Sequence, residues 1–111
     1  MIRYITGRGG SGTGGLSAHL ATLDDDYDVL PIDPAFLQQD IQGQVDSTRR
    51  FISLTSGNVI ANSYGAYLLL LALVDQPRPS IRVLLLSPVL GRAISAKRML
   101  SSRPPREKAL Q

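Results

Sequence analysis

The sequence contains no cysteine and a single histidine, His19. The first absence excludes disulfides, thiolate metal sites and a cysteine nucleophile together, and the second excludes a multi-histidine metal centre. Long apolar runs are also missing: the longest, residues 66–74, is about half of the roughly 20 residues needed to cross a bilayer. The opening MIRYITGRGG lacks the extended apolar core of a secretion signal and reads straight into a strand. These absences lead to the expectation of a soluble, cytoplasmic protein that needs no metal and no cofactor and engages no membrane.

What is present is the composition of an ordinary globular chain, 43% hydrophobic and 19% charged over 111 residues, enough for one compact core. The net charge of +3 conceals a split: residues 91–111 carry Arg92, Lys97, Arg98, Arg103, Arg106 and Lys108 against Glu107, a balance of +5, which leaves residues 1–90 at −2. A basic tail can signal nucleic acid. This one offers no aromatic ring for base stacking and is too short for a firm electrostatic footprint, so no nucleic-acid partner is expected.

Along the chain, β-branched and apolar segments alternate with segments of helical spacing, the pattern of a parallel sheet with crossover helices. A first strand at 2–6 runs into a glycine-rich turn at 7–15. Leu16, Leu20 and Leu23 then mark one face of a helix, which the acidic run Asp24–Asp26 ends. A second strand spans 27–33 and is closed by Pro34. Leu37, Ile41, Val45 and Ile52 predict one amphipathic helix over 35–54, weakened in its middle by Gly43. A third strand at 58–62 leads through Ser63 to a helix from Tyr64 to about Asp75. That helix is apolar nearly all round and so must be buried on most sides. Pro77 and Pro79 stop it, and IRVLLLS at 81–87 reads as a fourth strand suited to a sheet covered on both faces. The expected fold is α/β, a three-layer α/β/α sandwich with a four-stranded parallel sheet. Residues 1–90 form its core, and 91–111 make a short helix near 93–100 followed by an extended or disordered stretch.

The sharpest local feature is Ala61-Asn62-Ser63-Tyr64-Gly65, set between a strand and a helix. It fits the nucleophile elbow G-x-S-x-G, in which a tight, strained turn projects a serine hydroxyl above the sheet. Small residues are needed two before and two after the serine because strand and helix backbones come close there. Ala61 and Gly65 meet that need, with alanine a mild departure from the first glycine.

VIANSYGAYLLLLAL followed by IRVLLLSPV resembles the elbow strand, elbow, helix and next strand of the α/β-hydrolase family. Thr6-Gly7-Arg8-Gly9-Gly10-Ser11-Gly12 resembles that family's oxyanion loop. The likeness covers residues 1–90 and is to the small serine hydrolases that lack the first two strands of the full fold. It implies acyl transfer to Ser63 from a small-molecule ester or amide, with release by water. The helix start independently supplies unpaired amides and a positive dipole end, so the N–H of Tyr64 can face a developing oxyanion. By resemblance the second N–H comes from Arg8 or Gly9. The two turns are neighbours if the strand order is 2-1-3-4, which opens a crevice between the first and third strands.

The family's triad runs serine, acid, histidine in chain order. Here no histidine follows Ser63, the only later acids are Asp75 and Glu107, and His19 falls in register with Leu16 and Leu20 as a packed or capping residue of the first helix. A serine without a base is a poor nucleophile, so the expectation is an inactive or weakly active, C-terminally truncated hydrolase. Truncation would leave the fourth strand as an apolar edge, and association into a homodimer through that edge or through 91–111 is expected. Two rival readings stand beside this one. Gly7, Gly9 and Gly12 also fit G-x-G-x-x-G, with Asp33 at the end of the second strand placed for a ribose hydroxyl, the pattern of an NAD(P)-binding Rossmann unit. The other rival is a noncatalytic interaction module on the hydrolase scaffold.

Overall fold

The structure, a computed structural model, describes residues 1–53, 55–74, 76 and 80–86. Four strands, β1 (Ile2–Arg8), β2 (Tyr27–Ile32), β3 (Asn58–Asn62) and β4 (Arg82–Leu86), form one sheet in the order β2-β1-β3-β4. All three pairings are parallel. Helices α1 (Gly15–Ala21), α2 (Pro34–Leu37), α3 (Ile41–Ile52) and α4 (Tyr64–Val74) supply the crossovers. The fold is the expected three-layer α/β arrangement, and its strand order is the expected one.

Register decides which side chains meet which helices. Arg3 pairs with Val59 and Ile5 with Ala61, while Tyr4 pairs with Ile60, so neighbours along each strand serve opposite faces. One face carries the main core: Ile5, Val59 and Ala61 pack with Phe36, Val45, Ile52, Ala66, Leu68, Leu69 and Ala72 from α2, α3 and α4. The other face holds Tyr4 beneath α1, where Leu20 and Ser17 are the buried positions.

Several expectations are corrected in detail. The single helix over 35–54 is two helices, because Asp33 and Asp40 each cap a new start: the Asp33 carboxylate accepts the Phe36 amide (2.9 Å) and the Asp40 carboxylate accepts the Gly43 amide (2.8 Å). Gly43 therefore sits in a first turn, where it donates to the cap, and not in a weakened middle. Pro34 occupies the start of α2, where its missing N–H is no loss. β1 runs on to Arg8, two residues past its expected end, and α1 begins only at Gly15. Leu16 is 37% exposed, and Leu23, which lies beyond the end of α1, is 59% exposed, so Leu20 alone of the three leucines expected on one face is buried. In α4 the expected burial holds at Ala66, Leu68, Leu69 and Ala72 but not at Val74, which is 71% exposed. Val83 and Leu84, on opposite faces of β4, are also exposed. Asp75, Ser87, the short helix near 93–100 and the basic segment 91–111 lie outside the described residues. No helix among the described residues is long and apolar enough to cross a membrane.

Candidate functional site

Ser63 stands at the abrupt junction of β3 and α4. Its φ of 54° is the only positive value at a non-glycine residue among the described ones. L-residues rarely adopt that region, and a serine held there is strained unless its surroundings over-determine it. The surroundings do so from both sides. The Ser63 amide donates to the carbonyl of Leu86 on β4 (2.8 Å), and the Ser63 carbonyl accepts from Ala66 (3.0 Å) and Tyr67 (3.3 Å) to open α4. The turn is thus pinned to the neighbouring strand and to the helix it starts.

The small residues flanking the serine are required by packing. Ala61 is fully buried. At Gly65 a Cβ would run into the Thr6 carbonyl oxygen and approach Ile5 Cγ2 at 2.8 Å. Glycine here lets the first turn of α4 lie directly on β1. That contact brings the end of β1 beside the serine, and a Cβ on Gly7 would stand 3.3 Å from Ser63 Cβ. The glycine loop and the elbow are therefore adjacent.

Thr6, to which the sequence assigned no role beyond opening the glycine loop, shapes that loop. The β1–β2 register slips between Ile5 and Arg8, and the Thr6 hydroxyl fills the gap: its Oγ1 accepts from the Ile32 amide (2.8 Å) and donates to the Gly7 carbonyl (2.9 Å). Gly9 then takes φ 79° and donates its amide to the Ile32 carbonyl at 2.7 Å. This corrects one proposed oxyanion donor, since the Gly9 N–H is spent on β2. Amides alternate sides along an extended strand, so the Arg8 N–H faces the β3 side. The β1–β3 ladder has already ended there, at Ile5 and Ala61. Tyr64, the other proposed donor, opens α4 with its amide unclaimed by any backbone carbonyl among the described residues.

Two further side chains complete the setting. The Arg8 guanidinium lies 4.5 Å from the centroid of the Tyr64 ring, a cation–π distance. The Tyr64 hydroxyl donates to Gln44 Oε1 of α3 at 2.6 Å. Burial holds the Tyr64 phenol above its ordinary range, and the nearby Arg8 charge pulls the other way. Gln44 carried no signal in the sequence, because only the packing of α3 on α4 brings it to the elbow.

A cavity of about 270 Å³ opens between β1 and α1, lined by Tyr4, Thr6, Arg8, Leu16, Ser17 and Asn62 together with loop glycines. It reaches the elbow at Gly7 and Asn62. His19 is exposed in the last turn of α1 and lines none of this cavity. The dinucleotide reading would set a phosphate at the same glycine loop, but the Asp33 carboxylate it needs is already engaged in capping α2.

The class the structure defines is a parallel α/β sheet that brings a strained serine, the start of α4 and the Arg8 side chain together at the ends of β1 and β3. Comparison of the chain with family models, with curated proteins and with solved structures finds no match in any of the three.

Proposed function

We propose that this chain carries the nucleophile and oxyanion half of an α/β-hydrolase-type acyl-transfer site, with Ser63 as the acyl acceptor. The observation that carries the reading is the backbone of Ser63, held at φ 54° between β3 and α4 with Gly7 packed beside it. Residues held in such strain by their surroundings cluster at functional sites, and in this reading the turn presents the Ser63 hydroxyl at the ends of the first and third strands.

The roles follow from position. A substrate carbonyl attacked by Ser63 Oγ develops negative charge on its oxygen, and the amides of Tyr64 and Arg8 are the two donors facing that charge. The cavity along β1 and α1 receives part of a small ester or amide. Among the described residues no histidine or carboxylate bonds to the Ser63 hydroxyl, and an alcohol without a base is a weak nucleophile. The reading is therefore of a hydrolase-like protein that accepts one acyl group from an activated reagent and turns over natural esters slowly or not at all.

The test is covalent labelling with a fluorophosphonate, followed by intact-mass and peptide analysis. One adduct on Ser63, absent from Ser63→Ala, is the expected result. A Ser63 no more reactive than the other serines would overturn the proposal, and saturable binding of a nicotinamide dinucleotide by such an unlabelled protein would favour the Rossmann reading instead.

A further inference from the structure

The guanidinium of Arg8 lies against an aromatic ring and not against a carboxylate. Arg3 pairs with Asp26 (2.9 Å) and Arg49 with Asp46 (3.5 Å), but Arg8 makes no ion pair among the described residues. The carboxylate that register brings closest, Asp33 beyond Ile32, accepts the Phe36 amide instead. The guanidinium rests on an aromatic face, which holds its position and leaves its charge and its in-plane N–H donors unspent.

Its position is fixed at both ends relative to the serine. The backbone of Arg8 follows Gly7, the residue packed against Ser63 Cβ, and its side chain lies over Tyr64, the residue after Ser63. Tyr64 is in turn oriented by its hydrogen bond to Gln44, a residue only 6% exposed. Arg8 is exposed, so its positioned guanidinium stays open to an anion arriving from solvent. An un-neutralised, pre-oriented guanidinium beside a nucleophile recognises a planar anion through paired hydrogen bonds.

We propose that Arg8 is the specificity determinant of this site, and that its substrates are acyl esters carrying a carboxylate a few bonds from the scissile carbonyl. This rests on the reading of Ser63 as acyl acceptor. In the reaction, a bond forms between Ser63 Oγ and the acyl carbon and the bond from that carbon to the leaving oxygen breaks. The leaving group departs with the electron pair and the Oγ proton passes to solvent. The carboxylate takes no part in bonding changes; it is held by Arg8.

The experiment compares mono-4-nitrophenyl adipate with its neutral methyl ester on the full chain, following nitrophenolate release and the mass of the Ser63 adduct. The wild type should be acylated faster by the anionic ester by about fivefold, the effect of one partly exposed ion pair. The preference should vanish in Arg8→Gln, persist in part in Arg8→Lys and shrink as salt is raised. Equal acylation rates in the wild type, or a preference that survives in Arg8→Gln, would overturn the role of Arg8 while leaving Ser63 as acyl acceptor. A second arm separates the two claims. In Ser63→Ala, free adipate should shift the Arg8 side-chain N–H resonance saturably and dimethyl adipate should not. Absence of acylation by either ester refutes the Ser63 reading, and absence of the adipate shift refutes the Arg8 assignment whatever Ser63 does.

Discussion

Gly65 lies so close to the carbonyl oxygen of Thr6 that no side chain fits at position 65. A single contact between the first turn of α4 and the end of β1 therefore sets how far the serine stands from the glycine loop. The obstacle is backbone, which cannot swing aside as a flexible side chain would. Gly65→Ala should destabilise the fold by about 1–3 kcal/mol, the cost of overpacking a close contact. Urea denaturation checks this. Even where the variant folds, α4 must lift from β1, so fluorophosphonate labelling of Ser63 should fall with stability.

Thr6 offers a test of the loop independent of the serine. Thr6→Val keeps the shape but removes the oxygen that accepts from the Ile32 amide, leaving a buried donor orphaned. The expected loss is about 1–3 kcal/mol, with faster hydrogen exchange at Ile32 and Gly9. Unchanged exchange at both amides would show that the hydroxyl does not hold the register slip.

The contact between Arg8 and Tyr64 should be visible in a titration. Burial raises the Tyr64 phenol above its ordinary range and the Arg8 charge offsets part of that rise. Arg8→Gln should therefore move the phenol higher still, read from the ring resonances of labelled tyrosine. The linkage has a definite sign. With the folded value above the unfolded one, this tyrosine's contribution to stability is complete below the ordinary tyrosine range and is lost as pH rises through the folded value.

The two aspartate caps explain why one expected helix is two. Asp40→Ala should cost about 1 kcal/mol by freeing the Gly43 amide at the start of α3. Asp33→Ala should cost a similar amount at α2. Thermal unfolding measures both, and the two losses should add, because the caps serve different helices.

What could be read from the chain, and what could not, divides along the range of the interactions. β3 and the start of α4 were legible because their signals are local: a short apolar run, two small residues around a serine, then an unbroken apolar helix. Strand order followed from requiring that the glycine loop and the elbow be neighbours. The break before Asp40 was hidden because Leu37, Ile41 and Val45 keep helical spacing across it, so an apolar period masked a capping residue. Thr6 and the Gly9 amide were illegible for a different reason. Which way an amide points depends on the slip of β1 against β2, and the partner, Ile32, lies 26 positions from Thr6 along the chain. Of the proposed oxyanion donors, Gly9 gives its amide to the Ile32 carbonyl, which leaves Arg8 and Tyr64 as the candidates.

The bond from the Ser63 amide to the Leu86 carbonyl ties the elbow to the last described strand. A nascent chain that has emerged only as far as α4 has every residue of the turn but nothing for that amide to hold. The serine then lacks one of the restraints that keep it in its unfavourable conformation, and it can relax until β4 docks. If Ser63 is the acyl acceptor proposed above, its reactivity should therefore depend on the docking of β4 and be a property of the assembled sheet.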